Sequence, residues 1–174
     1  MQKVYLGNFE PSHFANKAVL VRTDYNTPLY RNENGEYEVI SDARIRNSFE
    51  TLRFLLQGGA KCIVCSHLGR PHGSFEEQFS MKAVYNRLRL LLTDITVKIV
   101  GNCIGSEVEQ AKRALNKGEV LVLENLRFHV GEEENNRDFA RQLAVGVDIF
   151  VNEAFSASHR GRTFSKAYAA YIIL

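Results

Sequence analysis

The stretch CIVCSHLGRP, residues 62–71, predicts the element around which the rest of the sequence is arranged. Residues 62–65 are apolar, include the β-branched pair Ile63-Val64 and precede turn residues, which predicts a buried strand. Gly69 allows a tight turn, and Pro71 prevents the strand from continuing. The polar residues between them therefore lie on a short loop at the carboxyl end of this strand.

His67 and Arg70 on this loop predict a binding site for a small anion. Ligands of open α/β sheets bind at the carboxyl edge, where this loop lies. A histidine and an arginine together offer hydrogen-bond donors and positive charge. On this segment alone, a strand-ending turn with a solvated arginine is an equal alternative.

Strands and helices alternate on both sides of this loop, which is the pattern of a parallel sheet with helices on its faces. Further apolar runs predict strands at residues 18–22, 96–100, 120–123 and 147–151. The spacing of apolar residues predicts helices over residues 43–57, 81–91, 106–117 and 132–146. Residues 29–40 are expected to form a hairpin that turns at Asn34-Gly35.

Polar residues and glycines predict where these helices begin and end. Ser41-Asp42 is expected to cap the first helix, and Gly58-Gly59 is expected to end it. Ser80 is expected to cap the second helix, and residues 106–109 match a capping box for the third, which Gly118 would end. The glutamates that follow His129 favour the positive end of the fourth helix.

The chain has 174 residues, 45% of them hydrophobic and 24% charged, which is the composition of one ordinary globular domain. With 22 basic and 20 acidic residues, the net charge of +2 provides no dominant positive field of the kind that nucleic-acid binding needs. No apolar run has the length of a transmembrane helix, and residues 1–7 lack a secretory signal pattern. We therefore expect no nucleic-acid or membrane partner, and any anion site must be local.

The three cysteines, Cys62, Cys65 and Cys103, favour a reducing cytoplasm. Cys62 and Cys65 have C-x-x-C spacing, but residues three apart on a strand face opposite sides of the sheet. We therefore expect buried free thiols rather than the alternative, a redox or zinc motif.

Polar residues follow four of the five predicted strands. They are Asp24 and Asn26 after the first, His67 and Arg70 after the second, Arg127 after the fourth, and His159 and Arg160 after the fifth. Because the carboxyl ends of parallel strands meet at one edge of a sheet, we expect these side chains to surround one cleft. Arginine forks bind phosphate or carboxylate oxygens, while Asp24 and Asn26 suit a hydroxyl group. The predicted ligand is a small phosphorylated hydroxy acid or sugar.

Nucleotide-binding fingerprints of the phosphate-loop and dinucleotide types are absent from the sequence. No spacing of His, Cys or carboxylate residues predicts a metal cage. The sequence accordingly predicts neither a nucleotide site nor a metal site in this chain.

Five stretches, in order along nearly the whole chain, closely resemble phosphoglycerate kinase, and specifically its amino-terminal, substrate-binding domain. They are VRTDYNTPL (21–29), DARIR (42–46), SHLGRP (66–71), LENLRF (123–128) and NEAF (152–155) with His159-Arg160. Each stretch is moderately specific, and their shared order makes the resemblance highly specific. It implies an α/β fold, a Rossmann-like parallel sheet flanked by helices in three layers, α/β/α.

The resemblance also implies residue roles. Asp24 and Asn26 are expected to bind the hydroxyl region of 3-phosphoglycerate. Arg44 is expected to reach the substrate carboxylate and, as the catalytic residue, to stabilise charge on the transferring phosphoryl group. A basic patch is expected to grip the substrate phosphate, and its members are His67, Arg70, Arg127 and Arg160.

The family's reaction is a reversible phosphoryl transfer between ATP and 3-phosphoglycerate, which gives 1,3-bisphosphoglycerate and ADP in glycolysis. In the complete enzyme a second, carboxyl-terminal domain of comparable size binds Mg-ATP. We expect residues 1–174 to be one substrate-binding domain without that nucleotide domain, because the chain ends on the apolar stretch 167–174 as if it were cut. Such a chain is expected to bind the acid, to bind no cofactor by itself and not to complete turnover. A cytoplasmic monomer, with the missing nucleotide-binding domain as its partner, is the expected state.

Several residues differ from the family pattern. Thr23 and Tyr25 stand where the family has more apolar residues, and Glu153 stands where it has Asp. Residues 161–166 replace a second histidine and small residues. A second hypothesis, a non-catalytic binding or regulatory module that retains the fold, rests on these differences and on the missing domain.

Overall fold

A computed structural model describes residues 6–154 of the chain, and a parallel sheet of five strands runs through them. The predictions for His159, Arg160 and the apolar stretch 167–174 lie outside these described residues. Within them, no helix is both long and apolar enough to cross a membrane.

The strands of residues 6–154 form one large sheet and one hairpin. They are β1 (Ala18–Arg22), β2 (Leu29–Arg31), β3 (Tyr37–Val39), β4 (Lys61–Cys65), β5 (Val97–Ile99), β6 (Val120–Val122) and β7 (Ile149–Asn152). The large sheet has the order β5-β6-β4-β1-β7, and all its strand pairs are parallel. β2 and β3 form the predicted antiparallel hairpin, with Gly35 at a φ of +79° in its turn.

Helices cover both faces of the large sheet. They are α1 (Ala43–Arg46), α2 (Phe49–Gln57), α3 (Lys82–Leu91), α4 (Ser106–Arg113), α5 (Val130–Glu133) and α6 (Arg137–Ala144). On one face, Leu55 of α2 and Leu88 of α3 pack against β1, β4 and β6. On the other face, Val108 of α4 and Leu143 of α6 pack against the alternate side chains of the same strands. The predicted three-layer α/β/α architecture is therefore confirmed.

The C-x-x-C pair lies as the strand geometry predicts. Cys62 belongs to the core beneath α2 and α3, and Cys65 belongs to the core beneath α4 and α6. Both are free thiols, and burial raises the pKa of Cys62 to about 12 and that of Cys65 to about 11. Neither thiolate is populated near neutral pH, so the two residues act as small apolar side chains.

The predicted helix over residues 43–57 is wrong in one respect, because it is divided into α1 and α2 at Asn47-Ser48. The Ser48 hydroxyl donates to the carbonyl of Ile45 at 2.8 Å, which replaces continued helical bonding with a local turn. The buried phenol of Tyr25 lies 2.6 Å from that hydroxyl. The buried phenol of Tyr25 therefore has a polar partner in the core, the hydroxyl of Ser48, which lies at the break between α1 and α2.

The cap predicted for α1 is also wrong, since the Asp42 side chain makes no capping hydrogen bond. Its carboxylate instead binds Arg46 at 2.9 Å and Arg87 of α3 at 2.6 Å. These two arginines lower the pKa of Asp42. Asp42 thus links α1 to α3.

Two further helix ends differ from the prediction. α4 begins after Gly105, which has a φ of +97°, and Ser106 and Glu109 form no capping box; α4 ends at Arg113 instead of extending to Gly118. The predicted single helix over residues 132–146 is wrong, because Glu132 and Glu133 lie on the separate helix α5 and α6 covers only Arg137–Ala144. Asn136 caps α6 by accepting the N–H groups of residues 138 and 139 at 2.9 and 3.0 Å.

We predict that Gly58→Ala strongly destabilises the fold, whereas Gly101→Ala does not. A Cβ at Gly58 would lie 1.9 Å from the carbonyl oxygen of Pro11, so backbone would have to move. A Cβ at Gly101 would meet nothing within 4 Å. Urea unfolding should report a loss of about 2 kcal/mol or more for Gly58→Ala, in the range of overpacked sites. Equal stability of the two variants would contradict the close packing of α2 on residues 11–14.

Candidate functional site

The loop after β1 carries Asp24 and Asn26. The Asn26 N–H donates to Asp24 Oδ1 at 3.2 Å, and Asn26 Oδ1 accepts the N–H of Gly69 at 2.9 Å. Arg44, in the first turn of α1, donates to the other carboxylate oxygen of Asp24. Residues predicted from three separate stretches therefore meet beside the loop that follows β4.

Ser66 holds the loop after β4 against the loop after β1. Its hydroxyl accepts the N–H of Tyr25 at 2.9 Å and donates to the carbonyl of Thr23 at 3.0 Å. Gly69 has a φ of +62°, and a Cβ there would come 2.3 Å from the ring of Phe79. Only glycine fits such a backbone so close to a ring, which explains the tight turn predicted from the sequence.

His67 is buried, with 8% of its surface exposed, and its Nδ1 lies 3.3 Å from Arg22 Nη2. An arginine only donates, so Nδ1 accepts and the proton of the neutral ring lies on Nε2. Burial, followed by the charges of Arg22 and Arg127, lowers the pKa of His67 to about 3. His67 is therefore neutral near pH 7 and offers a hydrogen-bond donor, without the positive charge expected of a basic-patch residue.

Asn125 connects the loop after β6 to the loop after β4. Its side-chain oxygen accepts the N–H groups of Leu68 and Arg127 at 3.2 and 3.0 Å. Its side-chain nitrogen donates to the carbonyls of Leu68 and Phe79 at 2.7 and 2.9 Å. Because Asn125 is fully buried, these four bonds satisfy an amide that water cannot reach.

Glu124 holds the start of α3 to the same loop. Its carboxylate accepts the N–H of Met81 at 2.6 Å and the hydroxyl of Ser80 at 2.8 Å. Ser80 in turn accepts the N–H of Lys82 at 3.2 Å. Ser80 therefore accepts one free N–H group at the start of α3, as predicted, and the Glu124 carboxylate from a distant loop accepts another.

Arg127 reaches back to the loop after β4 and to α5. Its Nη1 donates to the carbonyl of Gly69 at 2.8 Å, and its Nε lies 3.3 Å from Glu132 Oε2. The other oxygen of Glu132 accepts Nη2 of Arg22 at 3.1 Å. Both Arg22 and Glu132 are buried.

Five of the seven predicted site residues thus lie together at the carboxyl edge of the sheet, and we refer to them as the edge cluster. They are Asp24, Asn26, Arg44, His67 and Arg127. The cluster contains one carboxylate, one amide, two arginines and a neutral imidazole that donates from Nε2. Guanidinium groups bind phosphate and carboxylate oxygens in pairs, so the arrangement can hold a small polyanion.

The two remaining predicted residues are Arg70 and Arg160. Arg70 is exposed on the loop directly after Gly69, and it makes no side-chain hydrogen bond or ion pair with residues 6–154. Arg160 lies outside the described residues. A cavity of about 300 Å³ adjoins the cluster; it is lined by Asn26 of the cluster and by Gly69.

Comparison with known proteins identifies the family. The family model of phosphoglycerate kinase matches residues 9–172. The chain belongs to the phosphoglycerate kinase family. The phosphoglycerate kinase of Moorella thermoacetica is 47% identical over 157 residues, which cover 90% of this chain and 38% of that relative. The phosphoglycerate kinase of Borreliella burgdorferi is 42% identical over 161 residues, or 92% of this chain and 39% of that relative.

Solved phosphoglycerate kinase structures share the fold. The structure from Pyrococcus horikoshii has a TM-score of 0.73 and 30% identity, and the alignment covers 89% of this chain and 37% of that one. The structure from Coxiella burnetii has a TM-score of 0.68 and 31% identity, over 87% of this chain and 35% of that one. The chain therefore spans less than half the length of these phosphoglycerate kinases.

Phosphoglycerate kinases use Mg-ATP. In residues 6–154, no three or more His, Cys, Asp or Glu side chains are grouped so that they could hold a metal ion. The sequence also lacks a phosphate-loop fingerprint. The donor set of the edge cluster is that of an anion site.

Sequence reasoning missed Arg22 and Glu132. From the sequence, Arg22 is the last residue of a predicted strand, with no role assigned by the resemblance, and Glu132 is one of several glutamates that favour a helix end. The available signal was an arginine in the last position of an otherwise buried strand, which requires a partner because an unpaired buried charge is costly. The sequence contains no indication of which carboxylate that partner is.

We predict that His67 makes the fold sensitive to mild acid. Its pKa is lowered from 6.5 in the unfolded chain to about 3 in the fold, so the unfolded state binds the extra proton first. The stability from this shift is present above pH 6.5 and is lost as the pH falls towards 3. When the pH falls from about 7.5 to about 4.5, the free energy of unfolding of the unaltered chain should decrease by about 2.5 kcal/mol more than that of His67→Asn.

Urea unfolding at several pH values measures this difference. Asparagine is the control because its oxygen can accept from Arg22, as Nδ1 does, but it does not titrate. Parallel pH profiles for the two proteins would mean that His67 is not buried in its neutral form.

Proposed function

We propose that this chain is the 3-phosphoglycerate-binding part of a phosphoglycerate kinase. The whole reaction would be reversible phosphoryl transfer between ATP and 3-phosphoglycerate, giving 1,3-bisphosphoglycerate and ADP. The observation that carries the proposal is the meeting of Asp24, Asn26, Arg44 and Arg127 around Gly69 at one edge of the sheet. Family membership supports it, because the same positions match the substrate-binding motifs of the resemblance.

The hydrogen bonds within the cluster suggest which atoms would meet the acid. Asn26 uses its oxygen on Gly69, so its side-chain nitrogen is left to donate to a substrate hydroxyl or carboxylate. Arg127 uses Nε and Nη1 on protein groups, and Nη2 faces no partner among residues 6–154. His67 would contribute the donor at Nε2. Arg70 and Arg160 would add the remaining positive charge around the substrate phosphate.

Arg44 is suited to the charge that develops during phosphoryl transfer. About half of its side chain is exposed, and Nη1 is anchored by Asp24, while its other donors make no hydrogen bond or ion pair with residues 6–154. Phosphoryl transfer depends mainly on positioning and on neutralising oxygens of the transferring group. An arginine anchored in this way would stabilise that charge without first being reorganised.

We further propose that residues 1–174 form one acid-binding domain and that its partner in the reaction is a nucleotide-binding domain. The chain spans 38% of the Moorella thermoacetica relative and 39% of the Borreliella burgdorferi one, which supports this division. A monomer in the cytoplasm is the state in which we place it, since the family's reaction belongs to glycolysis.

Calorimetric titration with 3-phosphoglycerate tests the acid site through Arg70→Ala. The Arg70 side chain makes no hydrogen bond or ion pair with residues 6–154 that its removal would break, so a change in affinity reports on the ligand. The variant should lose about 2 kcal/mol of binding free energy, as expected for a charged hydrogen bond. Arg127→Ala should lose as much or more because it also releases Gly69.

Arg53→Ala is the matched control for that titration. Arg53 pairs with exposed Asp94, which precedes β5 at the opposite edge of the sheet, so its removal should leave affinity unchanged. Binding to the unaltered chain should weaken with added salt because phosphate contacts are charge-driven. Wild-type affinity in Arg70→Ala would contradict the assignment, and a chain that binds no phosphorylated acid would favour the non-catalytic binding module.

We also predict that the 174-residue chain does not phosphorylate 3-phosphoglycerate when supplied with Mg-ATP. Transfer requires both reactants to be held in register, and the proposed site of this chain holds only the acid. A coupled assay for ADP formation measures this. ADP formation that depends on 3-phosphoglycerate would contradict the proposal that this chain binds the acid and another domain binds the nucleotide.

A further inference from the structure

Glu132 is a buried carboxylate that contacts two arginines from different loops. Its Oε1 lies 3.1 Å from Arg22 Nη2, and its Oε2 lies 3.3 Å from Arg127 Nε. Only 6% of its surface is exposed. A carboxylate without water must be fully paired, and here each oxygen serves a different guanidinium group.

The first contact extends to His67 through Arg22. Arg22 is 5% exposed, and its Nη1 donates to the carbonyl of Thr23 at 2.9 Å. Its Nη2 has two hydrogens, one for Glu132 at 3.1 Å and one for His67 Nδ1 at 3.3 Å. Arg22 is therefore engaged within the protein, and its position determines which nitrogen of His67 carries the proton.

The second contact fixes the orientation of Arg127. Glu132 takes Nε, and the carbonyl of Gly69 takes Nη1 at 2.8 Å. With two of its three nitrogens held, the planar guanidinium group is fixed in orientation, and Nη2 is the nitrogen that has no partner among residues 6–154. Glu133 Oε1 lies farther from the same Nε, at 3.8 Å, and does not contact Arg22.

We infer that Glu132 is a positioning residue for the acid site. Its carboxylate holds Arg127 with Nη2 presented to the ligand and, through Arg22, holds His67 with its donor on Nε2. This role rests on the proposed function, because it concerns how the acid's partners are oriented. It adds a buried acidic residue to a site whose expected members are almost all basic or amide.

Both the charge and the reach of Glu132 are required. The charge lowers the repulsion between Arg22 and Arg127 and allows Arg22 to be buried. Glutamine would have one oxygen to accept from one guanidinium group, while its NH₂ group would face the other as a second donor. A variant that is neutral but equal in size should therefore release one of the two arginines.

The first test reads the ring of His67 in the ligand-free chain by ¹⁵N NMR at pH 7. The unaltered chain should give the shifts of a neutral ring protonated on Nε2. Glu132→Gln should shift the ring to a mixture of the two neutral tautomers, and Glu134→Gln should not. Glu134→Gln is the matched control because Glu134 is exposed and close in sequence, and the substitution removes the same charge.

The second test is titration of the same variants with 3-phosphoglycerate. Glu132→Gln should bind at least about tenfold more weakly, in keeping with the sensitivity of anion sites to misplaced donors, while Glu134→Gln stays within about twofold. Wild-type affinity and a wild-type His67 tautomer in folded Glu132→Gln would overturn the inference and leave Glu132 with a purely stabilising role.

Glu132→Asp keeps the experiment decisive if Glu132→Gln does not fold. Aspartate retains the charge but is one methylene shorter, so it cannot span both arginines. It should fold and lose either the Nε2 tautomer or the affinity for the acid; retention of both would overturn the inference. If the unaltered chain does not bind the acid, the proposed function fails, whereas the NMR result still decides whether Glu132 controls His67 through Arg22.

Discussion

The parallel pairing of β4 with β1 on one side and β6 on the other is the constraint on which the site depends. Val64 of β4 is in register with Val21 of β1 and Val122 of β6, so all three strands end at the same edge. Each strand then continues into a loop that carries polar residues. Buried on both faces, these strands cannot slide without exposing apolar side chains, so the relative height of the three loops is fixed by the core.

Buried polar groups convert that common edge into a defined site. Ser66 joins the loops after β1 and β4, and Asn125 joins the loops after β4 and β6. Glu132 then joins Arg22 to Arg127. Each of these groups is costly to bury alone, and each meets its partners only when the loops are in place. The cost of leaving one unpaired therefore favours a single arrangement of the loops.

This arrangement also explains why the edge cluster and its neighbours Arg22, Arg70 and Glu132 carry less net positive charge than a count of their basic residues suggests. His67 is neutral, and Glu132 offsets one of the two positive charges of Arg22 and Arg127. Arg44 and Arg70 are exposed to solvent, and Arg44 is paired with Asp24. The interior of the cluster is thus organised by hydrogen bonds, and its surface carries the charge.

Helix boundaries illustrate the limit of pattern reading. The apolar spacing of residues 43–57 is helical throughout, yet Ser48 and Tyr25 divide it, because a hydroxyl from a distant loop stabilises the turn. The start of α3 likewise depends on Glu124, which is 43 residues away from Met81 in sequence. Local patterns contain no information about a partner that arrives from another part of the chain.

The sequence by itself determined the succession of the five sheet strands along the chain, the parallel sheet, the opposite faces of Cys62 and Cys65, and the convergence of Asp24, Asn26, His67 and Arg127. These follow from periodicity and from the rule that parallel strands end at one edge. Only the tertiary structure decided that His67 is neutral, that Arg22 is engaged within the protein, and that Glu132 is the residue between the arginines. Protonation and pairing depend on burial and on distances of about 3 Å between groups remote in sequence, which exist only once the loops have met.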